Sequence, residues 1–493
     1  MDRDFDVIII GSGIGGLTCG AFLASSGMRV LVLEKHTRIG GYTHCFKRRQ
    51  FRFESAVHSI PAGPNGFIMH LLKQLGIDNR IITEEHKTMY HSQWNGFSYS
   101  VPVWYDQIIE KLSEDFPDQK SSLMKLFGEM KSFYDAFLGP LWKGSLEETP
   151  EYRSFVSAHQ NQNFKDYISS FISDENLQRV IYSQWPFGGT PPSSAPVAFY
   201  VLMFIVHAME GSHSIKGGFD NLASALASVI TSNGGEVRTR AEVVSLKAEG
   251  GSANSVTLDS GETFSADNFV SNISPYILHN EIIGPESRSR IWLRRLGNLN
   301  PSVSCVAVYL GLDTPSFNMV PHNVFNWFDG SDESVYERIQ NRDLQTIDHL
   351  IFLRPSDSED DKTLTILNFV KKSASDNWKS EKILHAERIM TKAESIIPGL
   401  RGHVSLMETG SPSTFERYTG NTGGALYGFE NTSHIYGEAK LPIKTHLSNL
   451  FQTGHWGKPG GGIWNTMYNG YTTALTMLTS IENRTAIKSA KSS

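Results

Sequence analysis

The sequence predicts an α/β protein in which a Rossmann-like, nucleotide-binding parallel sheet is joined to a mixed α+β domain. Three observations predict it. A buried-strand pattern, a glycine turn, a helix and a second strand follow one another within the first 34 residues. Further strand patterns and a hairpin signal recur near 236–272, and a strand, a glycine cluster and a helix near 450–481. The length of 493 residues exceeds one ordinary domain, which runs to about 150 residues.

Composition narrows the function classes. With 40% hydrophobic and 19% charged residues the chain reads as globular, neither disordered nor fibrous. Lys+Arg 45 against Asp+Glu 51 gives a net charge of −6, and the basic residues are scattered, so nucleic-acid binding is not expected. Cys19, Cys45 and Cys305 lie far apart without metal-ligand spacing, which argues against a disulfide framework or a metal site and for a reducing compartment, the cytoplasm. The start, Met1-Asp2-Arg3-Asp4, lacks the basic n-region of a signal peptide. The apolar stretch Ala195 to Met209 contains Pro196 and His207 and is too short to span a bilayer, so it reads as a buried helix; a peripheral membrane contact is left open.

The first unit has a mechanical reading. Asp6 to Ile10 is a strand buried on both faces, and Gly11-Ser12-Gly13-Ile14-Gly15-Gly16 follows at once. Gly11 permits the tight turn, Gly13 lets backbone approach a pyrophosphate, and Gly16 lets helix pack on strand. The helix from Leu17 to Ser26 presents its N-terminal N–H groups to the phosphates. The second strand, Met28 to Leu33, ends in Glu34, placed to accept hydrogen bonds from a ribose diol. Lys35 to Thr43 then carries a second glycine pair, Gly40-Gly41, beside Tyr42 and Thr43. A nicotinamide domain has no need of such an extension, whereas FAD needs backbone near its flavin end, so FAD is the expected cofactor.

With these residues the chain resembles the flavin amine oxidase and phytoene desaturase superfamily, especially its carotenoid isomerase and retinol saturase branch. The likeness rests on Gly11 to Gly16, Glu34, Arg38-Ile39-Gly40-Gly41, Phe51 to His58, Leu71 to Ile77, Gly217-Gly218-Phe219, Ala266 to Asn272, Leu450 to Gly454 and Pro459 to Ile463. It departs at Ala56, where the family has glycine, at Ser214-Ile215, which replaces two ring residues, and at His455-Trp456. The resemblance implies a glutathione-reductase-type FAD domain built discontinuously from 1–85, 205–285 and 415–485, a substrate domain from 86–204 and 286–414, and a flexible tail at 486–493. It further implies backbone contact with FAD at Val243 and contributions from Asn272, Gly454, Gly461, Gly462 and Ile463. The helix that begins there would face the ring edge where negative charge gathers on reduction.

Flavin carries the difficult step, so few catalytic side chains are expected. His58, as a proton donor or polar handle, and Tyr427 are the candidates, with His44 and Cys45 beside the glycine turn. Trp94, Tyr99, Trp104, Trp142, Trp185, Phe187, Phe199, Tyr200, Phe204, Trp327 and Phe352 supply aromatic surface that would suit an apolar, elongated substrate or serve as core. The acidic run Ser356 to Lys362 reads as a solvated turn. There is no second GxGxxG, so the electron partner is left unassigned. The expected activity is desaturation, saturation or cis-trans isomerisation at C–C bonds of a polyene or lipid-like molecule; amine oxidation at a C–N bond and a non-catalytic flavin scaffold are the alternatives.

Overall fold

The computed structural model describes residues 3–316, 319–328, 330–354, 361–372, 377–433 and 440–492, with side chains as far as Asn483. Strand β1 (Phe5–Ile10), helix α1 (Ile14–Ser25) and strand β2 (Val30–Glu34) form the predicted opening unit. Both strands are apolar and nearly or wholly buried, because each has neighbours in the sheet and a layer on both faces. Their sheet runs in parallel order Glu236–Thr239, β2, β1, Thr263–Ser271, Leu450–Gln452. The hairpin predicted around Asp259-Ser260-Gly261 joins Ser252–Leu258 to Thr263–Ser271, and Val243–Glu249 pairs on its outer side.

Helix α1 is buried almost all round. One side lies on the sheet and the other meets the closing helix, Ile463–Ser492. The crossing is close because both helices carry glycine there: a Cβ on Gly470 would press on the Gly15 carbonyl and lie 3.0 Å from Thr18. The tail expected to fray continues this helix in backbone as far as Ser492.

A second sheet has the order Val404–Gly410, Ser304–Leu312, Thr363–Val370, His349–Leu353, Val324–Trp327, Tyr90–Trp94, Phe97–Val101. One face, with Val306, Val308, Leu350, Phe352 and Ile366, packs on the helix Trp378–Ile396. Register places Cys305, Leu367, Phe325 and Tyr90 on the opposite face, toward the interior. The apolar helix Val197–Glu210 is buried as predicted and so offers no free apolar face to a bilayer. Among the described residues no helix is long and apolar enough to cross a membrane, and none form a cluster able to hold a metal. Of the acidic run, 356–360 lie outside the described residues, while Asp361 accepts hydrogen bonds from the Thr363 N–H at 2.9 Å and its hydroxyl at 2.8 Å. All three cysteines are buried and unpaired in disulfides.

Candidate active site

One cavity of about 320 Å³ runs from the carboxyl end of the parallel sheet to the inner face of the second sheet. The sheet end is the place where an open α/β sheet leaves a crevice for ligands. Its wall there includes Gly11, Gly13, Ile14, Glu34, Lys35, Gly40, Gly41, Tyr42, Thr43, Val243 and Asn272, joined by Gly461, Gly462 and Ile463 at the start of the closing helix. Gly15, Gly16 and Gly454 lie behind this wall. A Cβ on Gly15 would come within 2.8 Å of the Gly454 Cα, and one on Gly16 would strike the Gly11 carbonyl, so these three positions govern how closely the turn packs.

The glycine turn is braced from two sides. The Gly40 N–H donates to the Ser12 carbonyl at 2.9 Å, seating the second glycine pair on the first. Asn272 Nδ2 donates to the Gly11 carbonyl at 3.3 Å and would lie 2.7 Å from any Cβ at Gly13. Glu34 is fixed before any ligand arrives: Oε2 accepts from the Ser12 N–H (2.9 Å) and hydroxyl (2.6 Å), and Oε1 from the His36 N–H (2.8 Å). A rigid carboxylate, glycine backbone and the free first-turn N–H groups of α1 together make a donor and acceptor set suited to a dinucleotide diphosphate.

The inner part of the cavity is built differently. Phe199, Met203, Val206 and His207 come from one stripe of the apolar helix, and Phe187, Phe325, Leu367, Cys305 and Tyr90 face them. Among the described residues the only carboxylates on the whole wall are Glu34 and Glu242, both at the parallel-sheet end. His58 lies in the inner part, 4.8 Å from the Phe187 ring. Burial, reinforced by His86 and His207, pulls its pKa down to about 3, and burial likewise lowers His207 to about 4. Burial thus favours the neutral imidazole, a form that suits the polar-handle side of the expected proton donor or polar handle. We predict that His58→Gln leaves the pH profile of turnover unchanged above about pH 5, checked by steady-state rates across the range.

Tyr427 also lines the cavity. Its N–H donates to the Ser302 hydroxyl at 3.0 Å, Gly461 packs on its backbone, and burial pushes its phenol well above the ordinary range, so it stays protonated. His44 lines the cavity too, whereas Cys45 does not: its thiol donates to Glu54 at 3.0 Å, and burial raises its pKa, which disfavours the thiolate. Of the eleven aromatic residues considered, only Phe187 and Phe199 reach the wall. Trp185 stacks on Trp327 at 5.5 Å, and Phe352 is sealed in the core behind the second sheet. Of the two departures at 455–456, His455 lines the cavity and Trp456 is buried, donating to Asn421 Oδ1 at 3.0 Å. Gln184, Asn323 and Asn421 also line the cavity, although no local motif marks them.

The model for flavin-containing amine oxidoreductases matches residues 14–456. The chain belongs to that family. It is an oxidoreductase with FAD as its cofactor, as the glycine turns and Glu34 predicted. Two relatives span most of it: a chloroplastic prolycopene isomerase of Daucus carota, 24% identical over 95% of this chain and 79% of its own length, and the all-trans-retinol 13,14-reductase of Homo sapiens, 25% identical over 91% and 82%. A solved putrescine oxidase with putrescine bound covers 97% of this chain and 99% of its own, with a TM-score of 0.64 and 15% identity, which shows a shared fold. This member of the family thus has the FAD-type α/β architecture with a second, mixed domain.

Proposed function

We propose that this flavoenzyme acts on C–C bonds of an apolar, elongated substrate, polyene or lipid-like, by desaturation, saturation or cis-trans isomerisation. The observation that carries the reading is the inner cavity wall: apolar and neutral polar side chains, with no carboxylate among the described residues to hold an ammonium. That is why we place amine oxidation second, in spite of the shared fold. The two relatives named for prolycopene and all-trans-retinol support the same choice.

In this reading Gly11, Gly13, Ile14 and the start of α1, braced by Asn272, would hold the diphosphate. Glu34, flanked by Lys35, would hold the ribose, and Val243 would add backbone contact. Gly40 to Thr43 and Gly461 to Ile463 would flank the ring. Gly15, Gly16 and Gly454 act from behind, by setting the packing of the turn. Bound FAD supplies the hydride acceptor or donor. The chain's own part is to orient the substrate along the Phe199–His207 stripe, exclude water, and keep His58 and Tyr427 as neutral hydrogen-bonding groups. The buried, unpaired cysteines suit a reducing compartment such as the cytoplasm.

The test is to incubate oxidised and reduced holoenzyme with a polyene panel and an amine panel and to follow products by mass and retention. We expect a change of two hydrogens, or an unchanged mass with altered retention, among the polyenes only. Amine consumption overturns the reading in favour of C–N oxidation, and bound flavin that cannot be reduced or reoxidised makes the chain a scaffold.

A further inference from the structure

A cation is buried just behind the cavity wall. Lys440 is 1% exposed, and its ammonium donates to the Pro459 carbonyl at 2.8 Å and to Asn431 Oδ1. Gly460 makes room for it: a Cβ there would lie 3.0 Å from Lys440 Nζ, 3.1 Å from Asn431 Oδ1 and 3.2 Å from the Phe199 ring. Phe199 and Gly461, on the other side of that contact, are wall residues, and Gly461 and Gly462 lead into the closing helix. The ammonium also lies 5.7 Å from the centre of the Phe199 ring. Its place is braced, since Arg295 donates to the Lys440 carbonyl at 2.6 Å and Asn431 Nδ2 to the Gly188 carbonyl at 3.3 Å.

We propose that Lys440 positions the loop Pro459–Gly462 and lends the flavin ring a positive potential that favours its reduced, anionic form. Holding a loop carbonyl does not require a charge; a neutral amide does the same without burying an ammonium. What the ammonium adds is a field. Two electrons and one proton leave the ring with one net negative charge, and in a protein interior a unit charge acting over roughly 10 Å moves an equilibrium by about tenfold. The amino-terminal end of the closing helix carries the same sign of potential, so the two reinforce each other. Burial and the neighbouring Lys458 bring Lys440 down to about 7, so the ammonium is the main form at about pH 6. Its other ionisable neighbours are Arg295, His455, which burial lowers to about 4, and Glu430, which is paired with Lys371. This inference rests on the reading that Gly461 to Ile463 flank the ring, and it adds a charge that acts on the ring from behind them.

The experiment uses the holoenzyme without substrate, anaerobically, at about pH 6. In the wild type, the reduced flavin should show the absorption of the anionic ring, although reduced flavin in water is mainly neutral at that pH; a neutral spectrum overturns the proposal. The second measurement is the equilibrium between the bound flavin and a two-electron reference dye of similar potential, read from both absorbances. Lys440→Gln keeps a hydrogen-bond donor for the loop and removes the charge; it should shift the equilibrium constant about tenfold toward oxidised flavin, and Lys440→Met should shift it as far. A constant in Lys440→Gln equal to that of the wild type assigns the residue to shaping the loop alone and overturns the electrostatic role. Should neither variant retain flavin, the wild-type spectrum decides. Wild-type protein that takes up no flavin overturns the site reading itself, whereas flavin that is held but indifferent to the charge overturns this inference alone.

Discussion

Gly13→Val should purify without the yellow of bound flavin. A Cβ at this position would lie 2.7 Å from Asn272 Nδ2, and a valine adds two further methyls at the mouth of the turn. Relief by moving Asn272 would release its hydrogen bond to the Gly11 carbonyl and unsettle the turn. Relief by moving the turn would displace the N-terminus of α1, whose N–H groups are the expected diphosphate donors. Either route costs about 1–3 kcal/mol in overpacking before any ligand contact is lost, so affinity for FAD should fall by at least about tenfold to a hundredfold. Titration of apoprotein with FAD, followed by flavin fluorescence, measures it. Far-UV circular dichroism should stay unchanged, because β1 and β2 are untouched. Unimpaired FAD binding by the variant would remove Gly13 from the site.

Glu210→Leu should be among the most destabilising single changes outside the cavity. The Glu210 carboxylate is buried and accepts from the Tyr134 hydroxyl (2.9 Å), the Phe67 N–H (3.0 Å) and the Trp464 indole N–H (3.0 Å). It thereby ties the apolar helix to the helix Lys120–Leu138, the helix Phe67–Gln74 and the closing helix. An apolar replacement strands three buried donors, at roughly 1–3 kcal/mol each with incomplete additivity, so a loss of about 3–5 kcal/mol in denaturant unfolding is expected. Burial pushes the pKa of Glu210 up to about 8 from 4.5. The folded chain therefore binds a proton more tightly than the unfolded one. The stabilisation linked to that proton is complete below about pH 4.5 and is lost as pH rises toward 8. Glu210→Gln, which keeps an acceptor and cannot ionise, should flatten this part of the stability profile. A profile identical to wild type would show that Glu210 has the same pKa in the folded and the unfolded chain.

Legibility in the sequence followed the range of the interactions. The opening strand, turn, helix and strand, the hairpin at 259–261 and the start of the closing helix are local patterns, and each was readable from residue spacing alone. The aromatic residues were not separable that way, because a core and a cavity wall ask for the same apolar side chains. Phe199 and Tyr200 are neighbours in one helix. The turn of the helix sends Phe199 to the cavity and carries the Tyr200 hydroxyl to the Trp185 carbonyl at 3.1 Å. Gln184, Asn323 and the three donors to Glu210 were invisible for a different reason: their meaning lies in partners far away in the chain. For His58 the sequence supplied the position, and only the three-dimensional surroundings supplied the charge state.

The first and last helices touch at Gly15 and Gly470, the strand Leu450–Gln452 edges the parallel sheet, and Gly461 to Ile463 finish the cavity wall. During synthesis the glycine turn emerges from the ribosome long before the parts that enclose it. The crevice around the glycine turn is thus complete only once the closing helix has been made and has docked on the first.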